Sequence, residues 1–342
     1  MDQTLASGSA PDTDGRDWKK ILLNYRDPDT TRSIIEIVTT VVPLIVVWAA
    51  AWASLSISYL LTLVFIIPAS LLVLRLFMIQ HDCGHGAFFH GRLVNDWVGR
   101  IIGIVTLTPY DVWRRSHAVH HATSGNLDLR GVGDIDTLTV DEYRALPRWR
   151  KLAYRLYRNP IVMFVIGPAY LFLLQHRLPI GMMRAGWQPW VSALATDLGV
   201  AAFVGGMMYL VGWKAFLIIH LPIIVLAASI GVWLFYIQHQ FEDTFWAGGK
   251  EWKHSDAALY GSSHYDLPGV LKWFTANIGV HHVHHMSSRI PFYRLPEVLE
   301  DYPELKTVRR VTLWESFKHV RLKLWDTEQR RLVTFRQAES LA

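Results

Sequence analysis

Residues 33–74 read SIIEIVTTVVPLIVVWAAAWASLSISYLLTLVFIIPASLLVL, and this stretch decides the fold. It holds one charged residue, Glu36, and no Lys or Arg. A membrane helix needs ~20 apolar residues, so the stretch accommodates two spans joined by a short turn near Ser54–Ser58. Residues 185–238 repeat the pattern, with only Asp197 and Lys214 charged. Helices are therefore predicted near 34–55, 59–80, 189–211 and 214–238. Buried helices of a large soluble protein would explain one such stretch far more readily than two. The expected fold is an all-α integral membrane protein, four transmembrane helices forming two hairpins.

Composition supports the same class. Of 342 residues, 51% are hydrophobic and 18% charged, against about a quarter charged in soluble domains. Disorder is excluded by the abundance of apolar surface. A single cysteine, Cys83, excludes a disulfide scaffold and a thiolate-built zinc or iron–sulfur site. The net charge of +5 reflects orientation rather than nucleic acid, because no basic-aromatic module appears. Apart from Lys214 and Arg75, every Lys and Arg falls before, between or after the hairpins. By the positive-inside rule that side is cytosolic, and both termini share it. Arg75 is expected to snorkel from the end of its span. The polar start Met1-Asp2-Gln3 gives no expectation of a cleavable signal peptide.

Three apolar stretches are too short or interrupted to span: Trp97–Tyr110, Ile161–Gln175 and Val270–Val280. They are expected either to lie in the interface or to build a helical cytosolic cap. No repeat beyond the hairpins and no low-complexity linker divides the chain. One domain over 1–342 follows: a first hairpin at 33–80, cytosolic segments at 81–185 and 240–342, and a second hairpin at 186–239.

Sixteen histidines are the anomaly, and nine of them, eight being candidate ligands, fall where apolar segments meet the cytosolic side. They form His81-Asp-Cys-Gly-His85, His117-Ala-Val-His120-His121 and His281-His-Val-His284-His285. On a helix, positions i, i+3 and i+4 share a face, so each cluster turns two or three imidazoles to one side. Eight such ligands are enough for two metal ions held by the cap. Nitrogen donors without thiolates suit iron, copper or zinc.

The sequence around these clusters resembles the integral-membrane fatty acid desaturases, from roughly Ile21 to Tyr293. Trp113-Arg-Arg-Ser116-His117 is similar to the Trp-x-x-Ser-His lead-in of the delta-12 (omega-6) group. Tyr236-Ile-Gln238-His239 resembles the Leu-Gln-His ending that group's last span. Ala276-Asn-Ile-Gly-Val-His-His-Val-His-His and Arg289-Ile-Pro291 are similar to bacterial acyl-lipid members. Carried over by position, the resemblance implies a di-iron centre of two non-haem irons. Its ligands would be His81, His85, His117, His120, His121, His281, His284 and His285, with His239 added by the last span. It further implies O₂ as co-substrate, acyl chains of membrane lipids as substrate, and electrons from an external donor, ferredoxin rather than cytochrome b5. The bacterial inner membrane is the implied location.

Other residues carry plainer expectations. His282 is read as supporting or structural, and Asp82 as orienting a ligand histidine or simply solvating a helix end. His90, His176, His254, His264 and His319 are read as isolated, and His220 as lying near the outer end of the last span. Asp197 is an ionisable group within a span, expected protonated or hydrated at a helix contact. The loop Asn126–Asp136 is expected to be a solvated turn, with electron-donor or head-group contact as the other reading. The Lys306–Arg336 tail either lies on anionic lipid or closes the cap. Three further functions remain open: a membrane di-iron hydroxylase, a carotenoid ketolase, or a histidine-rich metal transporter. A ferritin-like protein is excluded, since only Glu251-Trp-Lys-His254 fits its Glu-x-x-His pattern.

Overall fold

A computed structural model describes residues 16–131 and 133–340. Among them, four helices are long and apolar enough to cross a membrane: Thr30–Ser54, Tyr59–His85, Gln188–Val211 and Trp213–His239. Their starts follow from local chemistry. The Asp29 carboxylate accepts from the Arg32 amide at 3.0 Å, and the Ser58 hydroxyl from Leu60 at 3.2 Å, each capping a free helix N-terminus. Pro43, Pro68 and Pro222 lie inside spans, where neighbouring helices make such breaks tolerable. The third and fourth spans are joined by Gly212 alone, whose φ of 85° suits a residue without a Cβ.

Two helices outrun their apolar stretches. The second span continues through the first histidine cluster and stops at Gly86, in the left-handed conformation at φ 65°. The fourth span includes His239 as its last residue. Hydropathy marks where lipid ends, whereas the helix ends where its hydrogen-bond ladder is capped, so both boundaries fell short.

The charges inside the first hairpin neutralise each other. Arg75 is buried and paired with Glu36 of the facing span, its Nε donating to Thr40 Oγ1 at 3.2 Å. Its guanidinium also lies 4.1 Å from the Trp273 ring centroid. The snorkelling expectation is therefore corrected: the counter-charge lies within reach inside the protein, and leaving Glu36 alone would strand a buried carboxylate. Asp197 is corrected similarly, because Arg177 Nη1 sits 2.6 Å from its Oδ1.

The three shorter apolar stretches break into pieces. The first becomes helix Arg92–Val105, a turn containing Leu107, and helix Tyr110–Thr123 with the second histidine cluster. The second is a π-helical turn at Val162–Ile166 running into Gly167–Leu173, and the third is helical only over Gly269–Phe274. Ala276 and Asn277 take positive φ of 50° and 52°, which ends that helix early.

Arg148–Tyr157 and Val162–Arg177, bent by 58°, together would be long enough for a fifth crossing. Parity excludes it. His239 ends the fourth span yet its ring lies 4.7 Å from that of His120, so the chain returns to the side it left. This bent pair therefore does not cross. Two short sheets complete the cap: His264–Asp266 pairs in parallel with Arg310–Thr312, and Leu324–Asp326 antiparallel with Arg331–Val333.

Candidate metal centre

Four helices converge at the ends of the second and fourth spans. The second span brings His81 and His85, one turn apart. The Tyr110–Thr123 helix brings His117, His120 and His121, the short helix His281–Met286 brings His281, His284 and His285, and the fourth span brings His239. All nine histidines read from the sequence come together, in two groups whose ligand atoms lie within 4.8 Å of one another. His81, His85, His117, His121 and His284 form the first, and His120, His239, His281 and His285 the second.

The rings point inward at one another. His121 Nε2 lies 3.1 Å from His117 Nε2 and 3.2 Å from His284 Nε2 in the first group. In the second, His281 Nε2 is 3.0 Å from His239 Nε2 and 3.1 Å from His285 Nε2. Among the described residues, the buried Nε2 atoms of His85 and His120 have no hydrogen-bond partner. Buried polar atoms without partners are costly, and a cation at each centre would satisfy them together. Burial, reinforced by neighbouring imidazoles, holds His117, His121, His281, His284 and His285 well below the usual histidine range. Neutral imidazoles with free lone pairs are what a metal requires.

Carboxylates and a carbonyl fix the outer ring nitrogens. Asp82 Oδ1 lies 3.3 Å from His81 Nδ1, while its Oδ2 accepts from the Phe292 amide at 2.7 Å. Asp134 holds His120 Nδ1, and the Gly261 carbonyl faces His239 Nδ1 at 3.2 Å. Such partners select the tautomer that presents Nε2 to a metal. Asp134 was missed by sequence reading, which treated its loop as a solvated turn. The signal lay in the glycines: Gly133, at φ 73°, brings the backbone so close that a Cβ would sit 3.3 Å from His120 Cβ.

His282 stays outside both groups and faces His264, ring centroids 5.8 Å apart. Burial pushes its imidazole down to about 3. His264 is not isolated as expected, for its Nδ1 lies 2.7 Å from the Lys306 carbonyl. His90 is an exposed loop residue beside Asp27, as read.

A cavity of about 480 Å³ begins at His81, His117 and His281. Trp113, Phe77 and Phe172 wall it, and it descends to Val73, Ile224 and Ala227 among the spans. Where it turns polar, Gln175 and His176 line it, which places His176 in the cavity wall rather than apart on the surface.

A family model described as fatty acid desaturase matches residues 50–315, most of the chain. The chain belongs to the fatty acid desaturase family. It is 43% identical over 312 residues to a Bacillus subtilis (strain 168) protein named fatty acid desaturase, covering 91% of this chain and 88% of that one. It is 31% identical over 263 residues to the sn-1 acyl-lipid omega-3 desaturase (ferredoxin) of Synechocystis sp., covering 71% and 68%. An sn-1 oleoyl-lipid 12-desaturase from the same organism is 27% identical over 233 residues, covering 64% and 62%. Fatty acid desaturases are oxidoreductases, so the chain is an enzyme and the metal-transporter reading falls away.

Proposed function

We propose that the protein is an acyl-lipid desaturase that binds two non-haem irons through the nine histidines and uses O₂ to place a double bond in a membrane-lipid acyl chain. The observation that carries this reading is the cavity, which runs from three of the proposed ligands into the apolar interior of the spans. For the position we take delta-12/omega-6, on the resemblance of the Trp113–His117 and Tyr236–His239 motifs to that group. Relatives with omega-3 and 12-desaturase names support the acyl-lipid class. We take residues 1–342 as one catalytic domain, with the irons and termini facing the cytosol of the bacterial inner membrane.

An unactivated methylene has no acidic hydrogen, so the bound irons with O₂ supply the oxidising power that removes hydrogen from it. The rest is positioning by the chain's own residues. Asp82 and Asp134 hold His81 and His120 with Nε2 turned inward. The aromatic wall of Phe77 and Trp113, ring centroids 5.4 Å apart, confines the acyl chain and keeps water from it. Electrons come from an external carrier, ferredoxin by analogy with the relatives whose names include it.

Expression in a host lacking polyunsaturated lipids, followed by mass spectrometry of its fatty acids, tests the proposal. A new double bond supports it and gives its position. An oxygenated product would move the protein to the hydroxylases or ketolases. Orientation is tested by cysteine labelling, since Cys83 is buried. Cysteine at exposed Ser56 should react with an impermeant reagent from outside, and cysteine at exposed Ser255 should not.

A further inference from the structure

The elements that carry the nine histidines differ in what they show to solvent. His281–His285 are buried throughout, and so is His239. On the second span, Gly86 is exposed beside His85, but His81, Asp82 and Cys83 are buried. The helix Tyr110–Thr123 is open right beside its histidines. Arg115, Ala118, Val119 and Ala122 follow at i, i+3, i+4 and i+7, which is one helical face, and the last three are exposed. The opposite face bears His117, His120 and His121. One helix thickness therefore separates an open apolar patch from the first metal group. Arg115 holds Gln188, the first residue of the third span, at 2.6 Å. The turns beyond Arg115 lead to Ser124, where the segment that follows the fourth span packs against them.

The rim of this patch is basic and aromatic. Trp252 Nε1 donates to the Ser124 carbonyl at 3.1 Å, which lays residues 250–254 against the end of the ligand helix. His254, which opens the short helix His254–Tyr260, is exposed beside it. Lys19, Lys250 and Lys253 are exposed. Of the nearby acids, Asp128 accepts from the Gly249 amide at 2.6 Å, Glu251 lies 3.6 Å from Arg330, and Asp256 accepts from the Ser255 hydroxyl at 3.3 Å. An apolar centre with a cationic rim suits an acidic partner that must arrive quickly and leave again.

We propose that an acidic one-electron carrier protein docks on Ala118, Val119 and Ala122, with Lys250 and Lys253 gripping its acidic surface. This rests on the desaturase reading, which needs such a carrier. Reducing O₂ to two waters takes four electrons and four protons. Removing two hydrogens from adjacent carbons to form the alkene supplies two of each. The carrier delivers the other two electrons singly, and two protons come from solvent. His121, on the inner side of the patch, touches both His117 and His284, so charge arriving here reaches the first group directly.

The test uses the iron-loaded enzyme in nanodiscs and a plant-type [2Fe–2S] ferredoxin of net negative charge. Binding of the oxidised ferredoxin is measured at low and high salt, for wild type, Ala118→Glu and the double variant Lys250→Glu/Lys253→Glu. Both variants should weaken binding about tenfold at low salt, and the double variant should also lose most of the salt dependence. Iron content and turnover driven by dithionite with methyl viologen are the controls, and should match wild type. Unchanged affinity in both variants, or no salt-sensitive binding by wild type, overturns the docking surface. Failure of the desaturase reading has a separate signature, since wild type would then form no alkene even with the chemical reductant.

Discussion

The two histidine groups share chemistry but not surroundings. The first, with five imidazoles, includes three only partly buried, His85, His117 and His121, and gives two of the three histidines at which the cavity begins. The second has four, all buried, sealed by Asp134 on one side and the Gly261 carbonyl on the other. The cavity reaches the second group as well, through His281. Two helices, Tyr110–Thr123 and His281–Met286, contribute to both groups. The second span serves only the first group, and the fourth span only the second. That division says which substitutions should disturb one metal and which should disturb both.

The largest effect is expected where a shared helix loses a ligand. His120→Ala and His284→Ala should each abolish detectable desaturation and lower the iron content, while membrane insertion stays intact. Full iron and turnover in both variants would dismantle the ligand set. His239→Gln should come next, removing activity and disturbing the spectroscopic signature of one iron more than the other. A normal iron spectrum in that variant would leave only the eight histidines of the three clusters.

Supporting carboxylates follow. Loss of such a partner typically costs 10- to 100-fold in metal affinity or activity. Asp134→Asn should weaken the second iron, and Asp82→Asn the first, each measured by iron stoichiometry and Mössbauer spectra. The same spectral change in both variants would erase the distinction between the groups. The smallest effect concerns histidines outside them. His264→Ala breaks a contact with the Lys306 carbonyl in a buried setting, and should lower stability by about 1–2 kcal/mol with normal iron. His319→Ala, at a more open position, should be closer to neutral; thermal unfolding in detergent compares the two.

The legible part of this molecule was periodic. Four apolar runs, and histidines at i, i+3 and i+4 after them, announce their own neighbours, because helix geometry carries the contact. What stayed hidden needed a partner from elsewhere. Asp134 meets His120 only because a glycine loop folds back over the ligand helix, and nothing local to Asp134 records that. Arg75 is read as snorkelling until Glu36 is seen across the hairpin. Arg177, lying outside every apolar run, became informative only beside Asp197. The two short sheets escaped for the same reason, since His264–Asp266 finds its partner at Arg310–Thr312. Three-residue strands have too little pattern of their own.

The Arg177–Asp197 pair also bears on how the chain enters the bilayer during synthesis. The third span has the lowest mean hydropathy of the four, 1.6 against 2.3 to 2.5 for the others. A carboxylate near the centre of an inserting helix costs roughly 2.5–3.5 kcal/mol on translocon scales. Arg177 is translated before Asp197, so its guanidinium has already left the ribosome when the third span emerges. The counter-charge is therefore waiting when the carboxylate arrives. Removing it should show first as a biogenesis defect, with the third span left unpartitioned on the ribosome-facing side, rather than as a slower enzyme.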